Sequence, residues 1–361
     1  MVLNVTSMQA ITWNGTPFQV DISTLPIPNI ISSTDALVKV DLAGICTADI
    51  HTYNGEFKEK EVPWVMGHEA LGVVVDVGDS VTSFSTDDKV IILDQILEDY
   101  PAEYVRVPFA DDNLLAVPQS QHLDSTQNSS DDIALDYLLA SSVFPAGWGA
   151  LDLAGYQPGD SVAVFGAGPI GLMAVYSAIL QGSSRVYLLD SDRRRLSVGE
   201  GMGAMPIDFT QSDPVSRVRR QEAAGILRVV DCIGIESTIE TRASLEDKIL
   251  EYMMGIVAEN GSIGRVAVAK PMNQSVGISI WRAFIPTFQF SLSGIFEEGP
   301  QVQSGVVDPA LLAPRLIEMV SKRLARPSFI VSSLISVEET PQFYQRASRN
   351  LETKVVLKIG V

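Results

Sequence analysis

The sequence predicts an α/β protein in two parts: a β-rich domain, then a doubly wound parallel sheet, with the last strands returning to the first part. Three observations carry this. Residues 7–118 read as short strands between turn residues, strand and helix alternate from about residue 155, and a glycine turn, GAGPIG, opens the first helix of that alternation. A chain of 361 residues can bury two separate cores. The expected division sets residues 1–153 and 328–361 against residues 154–327.

Each element has its own signal. ALVKVDLAGI and ALGVVVDVG alternate or run β-branched between Gly, Asp and Ser, the pattern of antiparallel strands in a partly closed sheet. QSQHLDSTQNSSDD is polar and without period, hence an exposed loop, and it makes His122 a solvated loop residue. DSVAVFGAG reads as a buried strand, PIGLMAVYSAILQ as a helix ended by Gly182, and SRVYLLD as the next strand. RVVDCIG and GSIGRVAVA continue the alternation, and FQFSLSGI could be the last strand of that sheet. ALLAPRLIEMVSKRL has helical spacing, and FIVSSLI and TKVVLKIG are strands expected to rejoin the first domain. No internal repeat is visible.

Composition excludes several classes. A net charge of −18 leaves no basic footprint for phosphates, which argues against nucleic-acid and anionic-membrane partners. The most apolar run, Val164 to Leu180, is broken by glycines and a proline and is no membrane span. Two cysteines, Cys46 and Cys232, cannot build a disulfide framework, and MVLNVTSMQAITWNG lacks a basic then apolar leader, so a cytoplasmic protein is expected. Cys232 lies within the apolar strand VVDCIG and is expected to be core packing.

GAGPIG supplies Gly166, Gly168 and Gly171 in dinucleotide-binding spacing, with Pro169 and Ile170 between them. Gly166 permits the tight turn, Gly168 lets backbone approach a diphosphate, and Gly171 lets helix pack on strand. A buried strand precedes the motif, a helix follows, and Asp190 ends the next strand 24 residues after Gly166. Asp190 would accept from the adenosine ribose hydroxyls and repel a 2′-phosphate, favouring NAD over NADP. Arg193, Arg194 and Arg195 could soften that preference by reaching the ribose, Arg195 being the candidate contact, or could form a solvated helix start.

The segments GICTADIH and GHEALGVVVDVGDSV, then AEYVRVP and GAGPIG in that order, resemble the zinc-type medium-chain dehydrogenase/reductase (alcohol dehydrogenase-like) family across nearly the whole chain. The resemblance implies a GroES-like β-rich catalytic domain, a Rossmann domain for the coenzyme, and a small-molecule substrate in the cleft between them. It implies an NAD(P)-dependent oxidoreductase that moves hydride between nicotinamide and an alcohol/carbonyl pair. Cys46 and His68 match the first two catalytic zinc ligands, Glu69 the adjacent glutamate that is a direct ligand in the polyol dehydrogenase branch and a spare ligand elsewhere, Asp49 the carboxylate that orients the ligand histidine, and His51 a proton-relay histidine. Val268 matches a coenzyme contact, and Tyr53, Phe57, Trp64, Trp148 and Phe288 match the substrate lining, although core packing explains those aromatics equally well. A homodimer or homotetramer is implied.

The chain also departs from that pattern. Ala48 stands where the family keeps a hydroxyl relay, Ser142 where a later zinc ligand falls, and Ala146 where a threonine touches the nicotinamide side. A neutral serine hydroxyl is a poor zinc ligand beside thiolate or carboxylate. DKVIILDQILEDYPAEYV contains no cysteine, so the four-cysteine structural zinc lobe is absent. One catalytic zinc on Cys46, His68 and Glu69 is therefore expected, and no structural zinc. Two alternatives stay open: a zinc-free reductase acting on a conjugated alkene or iminium, as in a biosynthetic pathway, and a cofactor-binding protein without turnover.

Overall fold

The computed structural model describes residues 6–56, 62–93, 102–118, 130–233, 242–266 and 300–359. The chain forms two compact units, Met1–Pro145 with Asp308–Val361, and Ala146–Val307.

The first unit is built on a seven-stranded sheet. Its order runs Val331–Ile335, Lys354–Lys358, Ala36–Ile45, Glu69–Val77, Lys89–Ile92 and Leu114–Ala116, with Tyr104–Val107 also paired to Ala36–Ile45. All these pairings are antiparallel except that of the two C-terminal strands, which is parallel. The C-terminal strands thus join the first domain, as their sequence suggests. A smaller sheet sets Ser7–Trp13 between Asp21–Pro26 and Trp64–Val65. Apolar side chains of the large sheet, among them Val38, Val40, Ala70, Val74, Val90, Ile92 and Val355, form one buried cluster. Helix Thr340–Ser348, which the sequence reading did not single out, packs against helix Thr47–Tyr53. It interrupts the two terminal strands and brings Tyr344 into the core.

Among the described residues the second unit forms a six-stranded, wholly parallel sheet. Its order is Met205–Asp208, Arg185–Asp190, Ser161–Phe165, Ile226–Asp231, Val257–Arg265 and Gln301–Ser304. Numbered within the unit this is 3-2-1-4-5-6, the doubly wound order whose direction of winding reverses after the first strand. Strand Ser161–Phe165 is central, which is why SVAVF carries no polar alternation and its last four side chains are buried. The strand read as GSIGRVAVA spans Val257–Arg265: it starts earlier than its apolar pattern suggests, because parallel pairing with Ile226–Asp231 holds it from Val257. FQFSLSGI lies outside the described residues, as do His122, Phe57, Phe288 and Val268, and the outermost described strand is Gln301–Ser304.

Candidate functional site

The donor cluster of the first unit arises from three adjacent strands and one short helix. Strand Ala36–Ile45 ends at Ile45, and Cys46 becomes the N-cap of helix Thr47–Tyr53. Asp49, at the third helical position, accepts the Cys46 backbone N–H on Oδ2 at 2.8 Å, the return half of a capping box. Its other oxygen, Oδ1, lies 3.3 Å from His68 Nδ1. One carboxylate therefore both fixes the turn that presents Cys46 and orients the imidazole beside it.

Glu69 opens the neighbouring strand directly opposite Gly44. Its carboxylate lies over that glycine so closely that a Cβ at position 44 would stand 2.2 Å from Oε2. On the other flank of the same strand, Val355 pairs with Ile45, which puts Lys354 at the level of Cys46. Lys354 Nζ donates to Glu69 Oε1 at 2.7 Å and lies 2.6 Å from Oε2, and both residues are fully buried. The small residue at 44 is what lets this ion pair close.

Cys46, His68 and Glu69 converge: one ligand atom from each lies within 4.8 Å of the other two. Among the described residues this is the group of metal-binding side chains that comes together. A sulfur, an imidazole nitrogen and a buried carboxylate are a donor set that fits zinc. Charge is concentrated here. Burial alone would lower the His68 imidazolium, but the Asp49 and Cys46 charges and their hydrogen bonds outweigh it and lift it well above its ordinary value. Burial would likewise lower the Lys354 ammonium, and Glu69 first, then Cys46 and Asp49, raise it instead.

Two further contacts were not found from sequence. Tyr344 is fully buried, its ring 5.5 Å from that of Tyr53, and its hydroxyl has no hydrogen-bond partner. Burial first, then the charges of Asp49 and Cys46, push its phenol well above the usual range. Glu56 Oε2 lies 3.2 Å from His51 Nδ1. The only sequence signal for Lys354 is a lysine opening an apolar strand in TKVVLKIG, and Tyr344 carries none. Of the aromatics read as substrate lining, Tyr53 is a core residue with Phe18 edge-on at 5.9 Å, and Trp64 packs against the same cluster. Trp148 is buried in helix Val143–Leu153, and Ser142 in the turn that precedes it.

In the second unit the turn after strand Ser161–Phe165 explains its glycines one by one. Gly166 has φ +94°, a conformation that side chains resist. A Cβ on Gly171 would stand 1.7 Å from the Gly166 carbonyl oxygen, so helix Pro169–Leu180 can approach the turn only without a side chain there. Gly168 differs: a Cβ there would meet no protein atom within 4 Å. The fold itself places no demand for glycine at 168, whereas a ligand laid along the helix N-terminus does. Gly168 is the N-cap and Pro169 the first helical residue, which pre-sets the helix without spending an N–H.

Asp190 ties the end of the second strand to this turn. Oδ2 accepts from Ala167 N at 2.5 Å, and Oδ1 from Ser191 N at 2.7 Å and Asp192 N at 2.8 Å. The three arginines that follow separate. Arg193 pairs with Asp208 at 3.2 Å and Arg194 with Asp192 at 2.8 Å, both on the surface, whereas Arg195 is buried. The solvated helix start thus holds for two of the three. Cys232 is buried behind the turn, and burial, then the neighbouring Asp231 charge, push its thiol far up, which is the behaviour of a packed and unreactive cysteine.

Comparison with known proteins agrees with both halves. The family model for the alcohol dehydrogenase GroES-like domain matches residues 32–109. A medium chain reductase/dehydrogenase of an Acremonium species is 30% identical over 274 residues, which cover 66% of this chain and 90% of that protein. An uncharacterised zinc-type alcohol dehydrogenase-like protein of Bacillus subtilis is 26% identical over 395 residues, covering 97% and 100% of the two chains. Among solved structures, an alcohol dehydrogenase from Thermus sp. ATN1 superposes with a TM-score of 0.82 at 26% identity, covering 98% of this chain and all of that one. Among the described residues no helix is long and apolar enough to cross a membrane.

Proposed function

Because the chain belongs to the medium-chain dehydrogenase/reductase family, and is an NAD(P)-dependent, alcohol dehydrogenase-like oxidoreductase, we propose that it uses NAD and one zinc held by Cys46, His68 and Glu69. The observation that carries the metal assignment is the convergence of those three donors. Zinc bound there would act as a Lewis acid toward the alcohol or carbonyl oxygen during hydride transfer.

The chain's own residues do the rest. Asp49 engages His68 Nδ1, which directs Nε2 toward the ligand position. Lys354 offsets the Glu69 charge and lies against both of its carboxylate oxygens, which fixes the carboxylate in place. Ser142 offers only a neutral hydroxyl and adds little to the donor set. In the coenzyme unit, the free N–H groups at the start of helix Pro169–Leu180 would receive the diphosphate along Gly166, Gly168, Pro169, Ile170 and Gly171. The Asp190 carboxylate beside that turn would repel a 2′-phosphate, which favours NAD. Arg195, being buried in its helix, contributes to the shape of that edge more than to a reaching contact. Val268 remains a proposed coenzyme contact on the resemblance alone.

Metal analysis of the purified chain beside Cys46→Ala, with alcohol and aldehyde turnover on NAD and NADP, tests this. The expected result is one zinc per wild-type chain, lost with activity in the variant, and a higher kcat/KM with NAD. Full turnover by metal-free wild-type protein overturns the zinc assignment and transfers the site to a zinc-free reductase.

A further inference from the structure

An asparagine followed by glycine can lose its side-chain amide without an enzyme, because a residue lacking Cβ leaves its backbone nitrogen open to the asparagine carbonyl. The chain contains three such pairs, Asn14–Gly15, Asn54–Gly55 and Asn260–Gly261. As sequence they are alike; their surroundings in the fold differ.

Two of the three are held. Asn54 and Gly55 close helix Thr47–Tyr53, where Gly55 N donates to the Thr52 carbonyl at 2.9 Å and Asn54 Oδ1 is buried. Attack there must first break that bond through a local opening. Gly261 is buried in strand Val257–Arg265, and even a Cβ on it would stand 2.9 Å from the Leu227 carbonyl oxygen. Backbone so confined cannot swing into a five-membered ring while the strand stays in place.

Asn14–Gly15 differs on each count. Both residues are exposed, in the connection between strands Ser7–Trp13 and Asp21–Pro26. Among the described residues no hydrogen bond from Gly15 N is seen. Thr16 N donates to Asn14 Oδ1 at 2.9 Å, an Asx turn whose ring includes the Gly15 nitrogen. That N–H polarises the side-chain carbonyl and is placed to stabilise the oxyanion that attack would form. At its other end the amide donates from Nδ2 to Asp21 Oδ2 at 3.0 Å.

We propose that Asn14 is a site of spontaneous covalent modification, at which the folded chain converts its own asparagine to aspartate and isoaspartate. Gly15 N gives a proton to solvent and bonds to Asn14 Cγ; the Cγ–Nδ2 bond breaks, and the nitrogen takes a proton from solvent and leaves as ammonia. Water then opens the cyclic imide at either carbonyl, its OH going to carbon and its hydrogen to nitrogen. No oxidant or reductant is required. The product carboxylate replaces an N–H donor beside Asp21, so two like charges meet where a hydrogen bond stood. Strand Ser7–Trp13 carries the consequence inward: Trp13 pairs with Trp64, Thr12 with Val65, and Met66 N donates to the Ile11 carbonyl at 2.9 Å. The strand that Asn14 ends therefore also holds the segment running into His68.

The test follows the three asparagines in the full-length protein, kept in mildly alkaline buffer with and without urea. Peptide mass spectrometry reads the exchange of NH2 for OH at each position, and urea supplies the rate set by sequence alone. In the native protein Asn14 is expected to convert about tenfold or more faster than Asn54 and Asn260, and no more slowly than in urea. Native conversion at Asn14 no faster than at the other two, or far slower than in urea, overturns the proposal. Asn14→Asp, which installs the product carboxylate directly, should lower the thermal midpoint, and Asp21→Asn added to it should restore the loss. An Asn14→Asp protein that melts with the wild type overturns the link from this site to the sheet.

Discussion

Lys354 decides how a glutamate can sit in the middle of a sheet. Both members of the Lys354–Glu69 pair are at 0% exposure, so removing one leaves a full charge in an apolar interior. Lys354→Met should destabilise the protein by about 3–5 kcal/mol in urea unfolding, and Lys354→Met with Glu69→Leu should recover most of that loss. A single variant within about 1 kcal/mol of wild type would show that the carboxylate takes up a proton or finds another partner. Cys46, Asp49, His68 and Glu69 were legible in the sequence because short range fixes them: GICTADIH and GHE hold them in two compact segments. Lys354 and Tyr344 were not, since they lie more than 270 residues further on and meet the cluster only through strand pairing and helix packing. Tyr53 was legible in the sequence as lining or as core packing alike, and its contacts with Phe18 and Tyr344 put it in the core cluster.

At the scale of elements, the strand–turn–helix of the second unit separates what the fold requires from what a ligand requires. Gly171→Ala places a methyl 1.7 Å from the Gly166 oxygen and must push the helix off the turn, so both stability and coenzyme binding fall. Gly168→Ala meets no protein atom within 4 Å and has φ −70°, so thermal stability should hold. Coenzyme binding by the same variant should weaken about tenfold, or about 1.4 kcal/mol, in a fluorescence titration. Unchanged affinity in Gly168→Ala would take the diphosphate away from this turn. The turn, its helix and the strand ending at Asp190 were readable because each is local: glycine at a positive φ, proline at the first helical position, a run of buried apolar residues. The extent of strand Val257–Arg265 was not, because its beginning is set by a parallel neighbour.

Over the whole molecule the acidic excess sets the choice of partners. With a net charge of −18 the protein should pass heparin and fail to shift duplex DNA at low salt, where attraction to phosphate would be strongest. Retention that salt abolishes would reveal a basic patch that the net charge conceals. The sequence by itself determined the class of each unit and the two motif clusters, because alternation, glycine turns and ligand spacing act over a few residues and survive without knowledge of the fold. It also excluded a four-cysteine zinc lobe, since two cysteines cannot build one. Only the tertiary structure decided that Lys354–Lys358 pairs with Ala36–Ile45 and Val331–Ile335 in turn with Lys354–Lys358, that Lys354 neutralises Glu69 across Gly44, and that Glu56 turns back onto His51. Those contacts depend on register and on where the chain returns after a turn, and an ion pair has no sequence period to announce it. Burial supplies the reason they matter: inside the sheet a charge must find its partner, however far along the chain that partner lies.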